Sequence, residues 1–111
     1  MRHSDQQYET LDAFIEDFPA HCEHARDRLR GHAGAFRLET REGRVFEAEI
    51  LDDGRVTVGR LSREPDCTVS ASERDLLSIV QGKLNPATAL LFGKIRVRGD
   101  IRKLTSLIAL L

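Results

Sequence analysis

The sequence predicts an α+β fold, on three observations. Apolar residues recur at three- and four-residue spacing from Leu11 to Leu29 and again from Leu76 onward. Between Ala35 and Leu61 they alternate instead with polar residues, the period of a strand with one wet face. Each alternating segment has a single apolar face, so helices should cover one side of the sheet and water the other. With 111 residues the chain buries roughly two thirds of its unfolded surface, enough for one core. One domain spanning residues 1–111 is therefore expected.

The first helical stripe runs through Leu11, Phe14, Ile15, Phe18, Cys22, Ala25 and Leu29. Pro19 falls inside it and predicts a kink, or two short helices meeting near Phe18, because proline lacks the backbone donor and crowds the preceding turn. Gly31 is placed to end the helical segment in the left-handed conformation. Phe36, Leu38 and Thr40 then form the inner face of a first strand, and Phe46, Ala48 and Ile50 that of a second over Val45–Leu51. Asp53-Gly54 supplies the positive backbone angles of a tight hairpin into a third strand over Arg55–Leu61, and Cys67–Ala71 is a short fourth. Ser72-Glu73-Arg74-Asp75 resembles a capping box ahead of Leu76, Leu77, Ile79 and Val80. Asn85-Pro86 starts a short helix that ends at Gly93. Lys94–Gly99 returns to alternation as a fifth strand, and Asp100 caps a terminal helix. On that helix Ile101, Leu104, Ile108 and Leu111 are expected to face the sheet, and Leu107, Ala109 and Leu110 to face whatever closes a pocket or an interface.

The balance of 41% hydrophobic and 32% charged residues, with a net charge of -1, is that of a folded globular chain and provides no bulk attraction for nucleic acid. No nucleic-acid partner is expected. Cys22 and Cys67 lie in different elements, without the spacing of a disulfide framework or metal knuckle, and read as free thiols. Met1–Gln7 carries no apolar signal, and no stretch approaches the about 18 apolar residues of a membrane span, so a cytoplasmic location is expected.

Candidate chemistry is sparse. His21, Cys22 and His24 are close in sequence, but Cys22 belongs to the buried stripe and the histidines flank it, which disfavours a shared metal. Gly31–Gly34 precedes a strand and lacks the phosphate-cradling signatures. Glu47 and Glu49 share a strand face, but it is the wet one. Lys94, Arg96 and Arg98, with Arg102 and Lys103 beyond, form a basic cluster. It reads as a solubilising face that pairs with Glu47 and Glu49, or as a site of transient contact with an anionic membrane or ligand head group. No catalytic residue, metal or cofactor is expected. The terminal helix is apolar around more than half its circumference, more than one sheet face can cover; a ligand, a second subunit or further chain should meet the excess.

The run from Cys67 to Asp100 resembles the signature stretch of the sterol-carrier-protein (type 2) lipid-transfer family. The matching positions are Leu76, Leu77, Gly82, Lys83, Asn85, Pro86, Ala89, Gly93, Lys94, Ile95, Val97, Gly99 and Asp100. Phe46 stands where that family usually has a tryptophan early in the second strand. The resemblance implies a five-stranded mixed, mostly antiparallel sheet with helices packed on one face around a hydrophobic tunnel. It implies non-catalytic binding or transfer of fatty acyl chains, sterol-like or isoprenoid lipids. The alternative is a homodimerising or interaction module accessory to a lipid or quinone enzyme. The expected ligand-binding residues are Phe46, Ile50 and Val58 on the first sheet half, Leu77, Val80, Leu90, Leu91 and Phe92 on the two central helices, Ile95 on the last strand, and Leu104, Leu107 and Ile108 on the terminal helix.

Overall fold

A computed structural model of the chain describes residues 8–110, with side chains through Leu107. Helix α1 (Leu11–His24) opens at Thr10, whose Oγ1 accepts the Ala13 N–H at 3.1 Å. It runs across Pro19 rather than breaking there. The proline is on the exposed side while Cys22 is fully buried, so packing of the apolar stripe outweighs the one hydrogen bond that proline removes. The interruption falls instead at Ala25, whose N–H tightens onto the Cys22 carbonyl at 3.0 Å before a single turn, α2 (Arg26–Leu29). Gly31 follows at φ +82°, the left-handed residue expected past a helix end.

Strands β1 (Gly34–Thr40), β2 (Val45–Ile50) and β3 (Val56–Val58) form an antiparallel meander in which Leu38 faces Phe46 and Ala48 faces Val58. β4 (Cys67–Ala71) then lies parallel to β1, with Val69 beside Leu38. Two helices follow, α3 (Glu73–Val80) and α4 (Pro86–Leu91), before β5 (Ile95–Gly99) pairs antiparallel with β4 and α5 (Ile101–Leu110) ends the described chain. The sheet order is β3-β2-β1-β4-β5, a mixed five-stranded sheet of the kind the resemblance implies. Each later helix has its polar cap. Ser72 Oγ accepts the Asp75 N–H at 3.1 Å, Asn85 Oδ1 the Ala87 N–H at 2.8 Å, and Asp100 Oδ1 the Arg102 N–H at 3.0 Å.

The inner layer is packed as two separate clusters. One joins Leu11 of α1, Ala71, Leu76, Ala89 and Ile95 around the α3–α4 end of the sheet; the other joins Cys22, Ala25, Leu29 and Ile50 around α2. Leu29 is fully buried. Between the clusters the inner-face residues Phe36, Leu38, Phe46 and Val69 are only half-buried.

On the opposite face the loop from Gly59 to Asp66 crosses back from β3 to β4. It is held by Glu47 Oε1, which accepts the Leu61 N–H at 3.1 Å, by Arg63 on Glu49 at 3.4 Å, and by reciprocal bonds of Asp66 with Ala35. This corrects the expected pairing of Glu47 and Glu49 with the basic strand. Arg37 stands directly across from Glu47 in the β1–β2 register and donates to it at 2.8 Å, whereas β5 is separated from β2 by β1 and β4. Of the basic strand residues, Arg98 pairs with Glu39 at 3.0 Å.

Candidate functional site

The half-buried residues between the two clusters enclose a cavity of about 250 Å³. Phe14, Ile15 and Phe18 of α1 form one wall, and the sheet contributes Phe36, Leu38, Phe46, Ala48, Val58, Val69 and Ile95. Leu76 and Ile79 of α3, Pro86 of α4, and Leu104 and Leu107 of α5 complete it. An apolar cavity of about 150 Å³ already stays dry and accepts a benzene-sized guest, so this one has room for a larger hydrocarbon. Val58, on the edge strand β3, is 46% exposed.

The charged residues bordering the cavity are Arg37 and Glu47, which alternation directs to the opposite sheet face and which bond each other there. The Leu61 amide, followed by the Arg37 guanidinium, holds the Glu47 carboxyl below the usual carboxylate range. Glu47 is thus a satisfied anion rather than a poised acid or base. Neither cysteine supplies a nucleophile. Burial pushes the Cys22 thiol up to about 12, and burial, reinforced by Asp100 and Asp66, raises that of Cys67. The cavity therefore offers shape and an apolar lining, and among the described residues none on its wall forms an acid–base pair directed inward.

A second hollow of about 220 Å³ adjoins it. Phe36 and Leu107 line both, while Gly31, His32, Arg102, Lys103 and Ser106 give the second its polar side. Together the two spaces are amphipathic, with hydrocarbon walls at one end and cationic groups at the other.

The structure places Phe46, Val58, Ile95, Leu104 and Leu107 on the cavity wall. It places Ile50 in the α2 cluster and against the adjoining hollow. Leu77 and Val80 are off the wall, because Leu76 and Ile79 are the α3 positions that face inward and each neighbour is rotated by about 100°. Leu90, Leu91 and Phe92 are 37%, 81% and 70% exposed, since the small Ala89 is the α4 residue laid against the sheet. The side chain of Ile108 lies outside the described residues. Ile101, expected against the sheet, is 41% exposed, whereas Leu107, expected toward the pocket or an interface, lines the cavity and packs with the α2 cluster. Sequence reasoning left out Phe14, Ile15, Phe18, Phe36, Leu38, Val69, Leu76 and Ile79 as wall residues. Apart from Val69, all are members of the apolar stripes identified in the sequence, but periodicity does not say which stripe residues are fully covered and which line a cavity.

Comparison with known proteins agrees with this architecture. Residues 15–111 match the model of the SCP-2 sterol transfer family. Over 82 residues, covering 70% of this chain and 19% of the relative, the sequence is 32% identical to peroxisomal multifunctional enzyme A of Dictyostelium discoideum. Over 74 residues it is 31% identical to sterol carrier protein 2 of Gallus gallus, covering 64% of this chain and 14% of the relative. The chain thus spans about a fifth or less of the length of these curated relatives. Palmitated SCP2L2 of Aedes aegypti superposes with a TM-score of 0.69 at 27% identity, covering 90% of this chain and 92% of that one. The chain belongs to the SCP-2 sterol transfer family.

Proposed function

We propose that the cavity holds the hydrocarbon part of a lipid and that the chain acts as a carrier or binding domain, not as an enzyme. The observation that supports this best is the apolar cavity between two buried clusters, beside a hollow that shares Phe36 and Leu107 with it and whose polar side carries Arg102. This arrangement suits an acyl chain in the cavity with its polar or anionic end toward α5. The same reading agrees with the palmitate carried by the Aedes relative. Burying about ten methylenes contributes about 8 kcal/mol at about 0.8 kcal/mol each, near micromolar affinity before ordering costs. The interaction-module reading would set the same wall residues against a second chain, whereas the carrier reading uses the space they line.

Native mass spectrometry of protein purified without denaturant tests the proposal. The expected spectrum shows a lipid-mass adduct, and a fluorescent fatty acid should bind and be displaced by unlabelled fatty acid. A clean apo mass, together with no saturable binding of the fluorescent probe, would overturn it.

A further inference from the structure

We infer that the free edge of β5 receives an extended acidic peptide, which adds a further strand to the sheet. β5 is an outer strand, with β4 on one side and, among the described residues, no strand on the other. The Arg41 N–H bonds the Ala71 carbonyl at 3.0 Å, so Val69 and Ala71 turn their backbone groups toward β1, while Thr68 and Ser70 turn theirs toward β5. Their partners there are Arg98 and Arg96. Alternation then directs the N–H and C=O of Ile95 and Val97 away from the sheet. The other edge strand, β3, has three residues against five in β5, so β5 offers the longer template for a new strand.

The surface along that edge selects the partner. An open hollow follows it, with Leu90 of α4 and Gly93 beyond it, Ile95 and Val97 on the inner face of β5, and Arg96 and Arg98 on the outer one. Leu90 is 37% exposed, so apolar side chains on the inner face of an added strand would cover it. The alternate side chains of that strand would lie on the outer face beside the two arginines. No Asp or Glu occurs between Leu76 and Gly99. Arg96 makes no ion pair with another described residue, and Arg98 makes one across the outer face, with Glu39 of β1. Carboxylates at every second position of the incoming strand meet this charge. A second copy of the chain fits poorly, because antiparallel pairing of two β5 edges would set Arg96 and Arg98 of one copy against the same residues of the other. A lipid headgroup would meet the cations but leave the backbone edge unpaired. An acidic peptide uses both, and its docking does not depend on what fills the cavity.

A fluorescein-labelled peptide alternating glutamate and valine serves as the probe, with lysine in place of glutamate as its control. Titrated with the whole chain, the acidic peptide should show a saturable rise in anisotropy, at least about tenfold tighter than the basic one and weaker as salt rises. Arg96→Glu should weaken the acidic peptide at least about tenfold, with the unfolding temperature unchanged because the side chain is exposed. Backbone pairing has its own readout. Methylating the amide nitrogens of the valines removes the donors along one edge of the peptide, and methylating those of the glutamates removes the donors along the other. One of the two methylated peptides should lose binding while the other keeps it. No binding of the acidic peptide, equal binding of the basic one, an unaffected Arg96→Glu variant or an equal response to the two methylations would overturn the inference. So would a dimer of the free chain that excludes the peptide, which would assign the edge to a second copy.

Discussion

At the scale of single residues, Asp66 ties three elements together. Its carboxylate accepts the Ala35 N–H of β1 at 2.8 Å, pairs with Arg63 at 3.0 Å and with Lys103 of α5 at 3.2 Å, and its carbonyl accepts the Asp100 N–H at 2.7 Å. Arg63, the Ala35 amide and Lys103 together hold the carboxyl far below the usual aspartate range. A group whose native pKa is depressed contributes stability above its unfolded value of about 4, and that contribution drains as pH falls toward the native value. Asp66→Asn should therefore cost on the order of 1–2 kcal/mol at pH 7 and flatten the decline of stability below about pH 4. Urea unfolding across a pH series checks both; a variant that keeps the wild-type slope would show that other carboxylates carry the acid sensitivity. Asp66 was legible only as a loop residue, because its partners at positions 35 and 103 are distant in sequence. The wall residues were legible as a class and not individually. Leu77 and Val80 are apolar at the right period, but so are Leu76 and Ile79, and a rotation of one helical position decides which pair meets the cavity.

At the scale of elements, helix ends and turns were the most readable features because their chemistry is local. Ser72, Asn85 and Asp100 all accept the amides their positions imply. At Ser72 a further amide of the first turn is satisfied from outside the helix, the Glu73 N–H donating to Glu42 Oε1 of the β1–β2 turn at 3.0 Å. Pro19 misled because the local cost of a missing donor is smaller than the burial of the stripe it interrupts. The hairpin at Gly54 combines two constraints. Its φ is +87°, and a Cβ there would stand 2.2 Å from the Arg26 carbonyl oxygen, so the turn is pressed directly on α2. Gly54→Ala should cost more than about 1 kcal/mol and lower the unfolding temperature by at least about 4 °C. Gly43→Ala, at φ +94° with nothing within 4 Å, should cost less because only backbone strain remains. Thermal denaturation of the pair separates the two contributions, and equal losses would mean that the close approach to α2 carries no energy.

At the scale of the whole molecule, the sheet and the helices meet in two buried clusters, and half-buried residues packed against them line the space between. That division makes binding and stability separable. Ala48 lies on the cavity wall and is half-buried, so Ala48→Leu should project three more carbons into the unfilled space. Unfolding stability should stay the same or rise by about 1 kcal/mol, following the area buried, while affinity for a fluorescent fatty acid falls at least about tenfold. Calorimetric unfolding and probe titration of the same sample test this; unimpaired binding would place the ligand elsewhere. The mixed sheet itself was readable only through the family resemblance, since the β1–β4 contact joins segments too far apart to leave a local pattern.

That parallel contact has a consequence for how the chain acquires its shape. Leu38 meets Phe46 across a short turn, but on its other side it meets Val69, and the intervening chain must be in place before that ladder can close. Loop-closure entropy favours the near pairing, so the β1–β2–β3 meander can assemble while the other edge of β1 still has open backbone donors and acceptors. During synthesis that edge stays open until Ala71 has emerged. The strand at the centre of the finished sheet is, until then, the one most exposed to pairing with the wrong neighbour.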